Sequence, residues 1–191
     1  MTATGVQLAW ATVPPGEPRR ETAWRLLRGL LPDGAELGNP CPRCGGPHGP
    51  VRVAGAEALA SVSYAGPLAI VGVADAALFA AFGIDAEPEH DTTRDAAGLR
   101  GILGQGRASL RDWTRVEAAL KADGRGLRVD PVSVVVTDRP EPEDGGYQWD
   151  ALVPGGAGFA GWDAAGPDGV LVSVAVQARR AEEAERGPTR R

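Results

Sequence analysis

Three carboxylates and one ammonium stand at spacings that suit a divalent cation and a phosphate. Asp85 and Glu87 lie two apart in Gly83-Ile-Asp-Ala-Glu87, and in a strand alternate side chains share a face. Glu117 and Lys121 lie four apart in Trp113-Thr-Arg-Val-Glu-Ala-Ala-Leu-Lys121, and in a helix that spacing also shares a face. Lys121 is the chain's only lysine. A hard divalent cation takes such oxygen ligands, and a nearby lysine meets the phosphates the cation bridges. The expected chemistry is therefore that of a magnesium–diphosphate site, with Asp85 and Glu87 as direct ligands. Glu117 is expected either to ligate the metal or to take a proton, directly or through a water. Lys121 is expected to neutralise diphosphate charge as it builds in a transition state. The plain alternatives are strand-end carboxylates in a turn and an ion pair on a solvated helix face.

A second group, Cys41-Pro-Arg-Cys44-Gly-Gly-Pro-His48, has ligand chemistry and the look of a zinc knuckle. A structural zinc site needs four ligands, and His90 is the one other imidazole donor, so zinc at Cys41, Cys44 and His48 is not expected unless an Asp or Glu serves. A disulfide-capable pair or a rigid loop are the alternatives. Ser61, Ser63 and Tyr64 follow a possible strand, where hydroxyls can meet a phosphate or act as ordinary turn groups. No nucleophile elbow, Walker loop or dinucleotide fingerprint is present.

The 191 residues suit one compact unit, and 43% hydrophobic residues suffice for a core. A net charge of -5 argues against a nucleic-acid surface. Two cysteines are too few for a disulfide scaffold. No apolar run reaches membrane-spanning length and no signal-peptide pattern is seen, so a cytoplasmic protein with no membrane partner is expected.

The elements that must position these groups are legible in outline. Residues 6–13 alternate as an opening strand. Residues 19–31 carry apolar side chains at helical spacing, with Arg19, Arg20, Arg25 and Arg28 on the remaining face. Short strands are expected at 51–53 and 59–63, and a buried one at 68–74. Residues 76–82 read as a helical turn or connecting loop, and 88–108 as a polar, mobile stretch. A helix capped by Ser109 should run to about residue 122, closed by Gly124 and Gly126. Strands are expected at 132–136, 148–153, 158–163 and 170–176. The expected fold class is α+β, with an N-terminal half at 1–87, a C-terminal half at 88–178, and a charged tail at 179–191.

These segments resemble the 4′-phosphopantetheinyl transferases, in the branch of about two hundred residues that acts as a monomer. The resemblance rests on Gly83, Asp85 and Glu87, on Trp113, Thr114, Glu117, Ala118 and Lys121, and on Gly124, Gly126 and Leu127. Ser61-Val-Ser63-Tyr64 and the Cys41–Gly49 stretch add to it. It implies a pseudo-duplicated fold of two α+β halves with the site between them. It further implies magnesium-dependent transfer of phosphopantetheine from coenzyme A to a serine of an acyl or peptidyl carrier protein. Magnesium would be held by Asp85, Glu87 and Glu117, with Glu117 and Lys121 catalytic. Coenzyme contacts would come from Ser63, Tyr64, His48, Arg52 and Arg19. Val116, Tyr64 and Pro50 stand where the family carries lysine, histidine and a basic residue. Poor coenzyme affinity is thus expected unless Arg52, Arg115 or a helix arginine substitutes, and Val116→Lys should tighten binding. The competing expectations are a weakened or inactive relative that binds a carrier or another protein, and a small zinc-binding scaffold.

Overall fold

Residues 69–74, 82–87 and 172–176 are buried without a break, so both faces of these strands are covered, one by another sheet and one by a helix. The computed structural model describes residues 5–90, 96–103, 109–140 and 147–179. β1 (Val6–Thr12) leads into α1 (Arg19–Leu30), followed by β2 (Glu36–Gly38), β3 (Arg52–Ala54), β4 (Ala58–Ala65), β5 (Leu68–Asp75) and β6 (Phe79–Pro88). Then come α2 (Ala96–Leu103), α3 (Leu110–Asp123), β7 (Val135–Asp138), β8 (Gln148–Leu152), β9 (Gly158–Ala164) and β10 (Val170–Ala178). The molecule is mixed α+β with three antiparallel sheets, ordered β1-β5-β4, β6-β10-β9-β8-β7 and β2-β3.

The two larger sheets face each other. Val6, Ile70 and Ala74 of the first meet Ile84, Val172 and Val174 of the second. On the outer face of the first sheet, Ala23 and Leu27 of α1 cover Ala69, Val71 and Val73. On the outer face of the second, Val116 and Leu120 of α3 pack with Trp149, Val153, Phe159 and Ala175. Leu27, Ile70, Ile84 and Leu120 are among the largest fully buried side chains, each contributing about 1.5–3 kcal/mol by transfer from water. No helix among the described residues is long and apolar enough to cross a membrane.

Several boundaries differ from the sequence expectation. Residues 79–82 belong to β6 rather than to a turn or loop, because β10 pairs with them, down to Phe79 opposite Ala178. That partner lies about a hundred residues away, so local pattern did not reveal it. By its hydrogen bonds β6 joins the second sheet, at the edge next to β10. Within the supposedly mobile 88–108, residues 96–103 form α2, which buries Leu99 and Leu103. The flanking 91–95 and 104–108 lie outside the described residues. Residues 131–133 form a 3-10 turn with Asp130 as its cap, and the strand begins only at Val135. Of the charged tail, only Arg179 is described; it bonds back to Ala76 and Leu78 carbonyls.

Candidate functional site

The site begins with the two faces of β6. Phe82, Ile84 and Ala86 point into the core between the sheets. Gly83, Asp85 and Glu87 point to the opposite face, where α3 lies. A Cβ at Gly83 would collide with Ala118 O and Ala122 N, so glycine lets the helix backbone rest directly on the strand. α3 itself is well specified. Ser109 and Asp112 form a capping box, and Gly124 ends the helix in the left-handed region at φ 78°.

This close approach brings the three expected carboxylates together. One oxygen from each of Asp85, Glu87 and Glu117 lies within 4.8 Å of the others. Asp85 is 2% exposed and Glu87 6%. Lys121 Nζ donates to Asp85 Oδ1 at 2.7 Å and to Ser63 Oγ at 3.1 Å. Ser63 Oγ donates to the same Asp85 oxygen at 2.8 Å. Trp113, buried at the start of α3, donates its indole N–H to Glu87 Oε1 at 3.0 Å. Asp85 Oδ2 is buried and has no hydrogen-bond partner among the described residues. A buried carboxylate oxygen without a donor is costly. An oxygen-only donor set of three carboxylates fits a hard divalent cation such as magnesium.

Ser61 and Ser63 also do something the sequence did not announce. β6 is an edge strand of its sheet, which leaves amides without ladder partners. Ser61 Oγ accepts from Ile84 N at 3.1 Å, and Ser63 Oγ accepts from Ala86 N at 3.2 Å. Two hydroxyls spaced i, i+2 on β4 thereby satisfy two amides spaced i, i+2 on β6 and tie the two sheets together beside Asp85. The S-x-S pattern was the available signal, though its partner strand was not evident.

Lys121 has a second neighbour. A cleft of about 930 Å³ reaches from α1 and the 39–52 loop to the end of α3. Its cations are Arg20, Arg52, Lys121, Arg125 and Arg128. Arg125 is matched by Asp123, with Nε donating to Oδ2 at 2.6 Å. Lys121 is paired with Asp85, and Arg20, Arg52 and Arg128 make the cleft a basic patch on a chain of net charge -5. Of the expected coenzyme contacts, His48, Arg52 and Tyr64 line this cleft, as do Ser61 and Lys121, whereas Ser63 does not. Arg19 is turned aside, bonding Gly66 O at 2.8 Å and stacking 4.6 Å over the Tyr64 ring, while Arg20 takes the cleft wall. Burial pushes the Tyr64 phenol up, partly offset by Arg19 and Arg20.

Two expectations about substitute cations are corrected. Arg115 is 3% exposed and turned away from the cleft into the sheet. It donates to Asp163 through Nε at 3.0 Å and Nη2 at 2.8 Å, and to Asp138 through Nη1 at 2.7 Å. Burial works to lower its value, but the bonds and charges of Asp163 and Asp138 prevail and raise it. Val116 is fully buried in the apolar core under α3. It faces neither the carboxylates nor the cleft, so a lysine there would meet hydrocarbon, not a phosphate.

The cysteine loop is ordered by its own hydrogen bonds. Cys41 N donates to Gly46 O, Gly45 N to Cys41 O, and Gly49 N to Asn39 O. Cys41 and Cys44 are free thiols, and His48 Nε2 lies 3.1 Å from Cys44 Sγ. Backbone N–H groups of Arg43 and Cys44 hold the Cys41 thiol below its ordinary value, helped by the Arg128 charge. No protein-family model matches the sequence, and no curated protein matches it.

Proposed function

We propose that the protein is a phosphopantetheinyl transferase, a pseudo-duplicated member of that fold with its site between the halves. In this reading it moves 4′-phosphopantetheine from coenzyme A to a serine of an acyl or peptidyl carrier protein. The observation that carries the reading is the meeting of Asp85, Glu87 and Glu117 beside a basic cleft, with Lys121 belonging to both. Asp85, Glu87 and Glu117 would hold magnesium. When bound, the ion would offset the negative charge of the diphosphate.

The chain's own side chains supply the rest. Lys121 reaches from Asp85 toward the cleft and would stabilise the diphosphate as charge moves to the leaving group. Arg20, Arg52 and Arg128 would seat the remaining phosphates. Glu117, half-buried on the same helix face, would serve as base for the serine hydroxyl proton, directly or through a water. The serine oxygen then bonds to the β-phosphorus, the bridging P–O bond breaks, and adenosine 3′,5′-bisphosphate leaves with the bridging oxygen.

The test is incubation with coenzyme A, magnesium and a panel of apo-carriers, read by intact mass. A carrier gaining one phosphopantetheine, and gaining none with Asp85→Asn, is the expected result. No mass gain on any carrier while coenzyme A still raises the melting temperature would favour a second reading, a non-catalytic module that binds a carrier or another protein. Burial of Val116 where the resemblance calls for a lysine is the observation that keeps this second reading in play.

A further inference from the structure

We propose that Cys41, Cys44 and His48 form a zinc site with three protein ligands and one exchangeable position, set in the wall of the cleft. The sequence argued against zinc because a fourth side-chain ligand was missing. Among the described residues the group does have these three members, with one ligand atom from each within 4.8 Å of the others. A tetrahedral ion with bonds of about 2.0–2.3 Å needs donors about 3.5–3.8 Å apart. Cys44 Sγ and His48 Nε2, 3.1 Å apart, would need to part by only about half an ångström to reach that spacing. Two sulfurs and an imidazole select a borderline-soft metal over magnesium or calcium.

The loop is built as a ligand loop would be. Cys41 N donates to Gly46 O and Gly45 N to Cys41 O, which closes the backbone around the two thiols. Gly45, directly after Cys44, sits at φ 73°, where an L side chain is strained. A Cβ at Gly49 would collide with Pro40 O, so the return of the chain past His48 needs a glycine. Arg20 and Asn39 both donate to Pro47 O, at 3.0 and 2.8 Å, which fixes the His48 end. A disulfide would use the two thiols and leave this placement of His48 unexplained.

His48 and Pro42 line the cleft, so the ion would fix one wall of it. Binding displaces two thiol protons, and the fourth position would take a water or an oxygen from whatever occupies the cleft. The inference stands apart from the transferase reading, because it concerns a different set of side chains and needs no turnover.

The experiment is metal analysis of the full chain purified without chelator, followed by replacement of zinc with cobalt(II). One zinc per chain, and a cobalt spectrum with thiolate charge-transfer absorption and the strong visible bands of tetrahedral coordination, are expected. His48→Ala and Cys44→Ser sit at exposed positions. Each should weaken cobalt binding by at least roughly 100-fold, the upper end of what loss of even an outer-shell partner costs. His90→Ala should change nothing. A chain that takes up no zinc when reduced, or that carries a Cys41–Cys44 disulfide as isolated, would overturn the proposal. So would a cobalt spectrum that His48→Ala leaves intact.

Discussion

At the scale of single residues, Asp85 carries both structure and the candidate chemistry. One of its oxygens holds Lys121 and Ser63, and the other is buried without a donor. Asp85→Ala would remove the cluster's centre but also strand a lysine and a serine, at about 1–3 kcal/mol. Asp85→Asn is the cleaner variant, since it keeps shape and the acceptor for Lys121. Magnesium should raise the wild-type melting temperature, by a stabilisation of about 2.7 kcal/mol when the ion is about 100 times above Kd. The Asp85→Asn variant should lose that response, and equal shifts in both proteins would sink the assignment of Asp85 as a ligand. Val116→Lys tests a revised expectation. Because Val116 is fully buried in an apolar cluster, the lysine should cost roughly 2–4 kcal/mol in chemical denaturation. Tightened coenzyme binding at unchanged stability would show that the helix is set differently.

Among the elements, α3 lying on β6 makes the site, and its contact depends on the missing side chain at Gly83. Gly83→Ala would force the helix away or bend the strand, costing about 1–3 kcal/mol as overpacking does. It should also shrink the magnesium-induced rise in melting temperature, since Glu117 and Lys121 travel with α3 while Asp85 and Glu87 stay on β6. A fully retained magnesium response would mean that the close approach does not set the carboxylate spacing. The serine pair on β4 has an equally local readout. In Ser61→Ala the Ile84 amide loses its acceptor, so its hydrogen exchange should accelerate beyond that of amides elsewhere in the strand. Both features were partly legible. The glycine and the S-x-S pattern are plain in the sequence, but the helix carbonyl that excludes a Cβ and the amides that need hydroxyls belong to other elements.

For the whole molecule, Asp163 is the tie that holds α3 to the second sheet. It accepts from Arg111, Arg115, Trp149 and Ser173, joining the helix to β8, β9 and β10. Removing Asp163 would leave the buried Arg115 with only the exposed Asp138 as counter-ion, so Asp163→Ala should lower stability by up to about 3–5 kcal/mol, measured by denaturant unfolding. A loss under about 1 kcal/mol would show that the apolar packing of α3 suffices without it. Nothing in the Gly158–Ala164 stretch marks Asp163 as special, because its importance comes from side chains contributed by three other segments. The sequence by itself determined most local elements, because strand alternation, helical spacing and the Ser109 and Gly124 caps act within a few residues. It also nominated Asp85, Glu87, Glu117 and Lys121, since two-residue and four-residue spacings fix a shared face before any fold is known. Tertiary structure alone decided that β6 pairs with β10, that Arg115 and Val116 turn inward, and that Arg20 rather than Arg19 faces the cleft. Those outcomes depend on which surfaces meet across long stretches of chain, and a buried position selects its occupant by volume and partner rather than by its place in a motif.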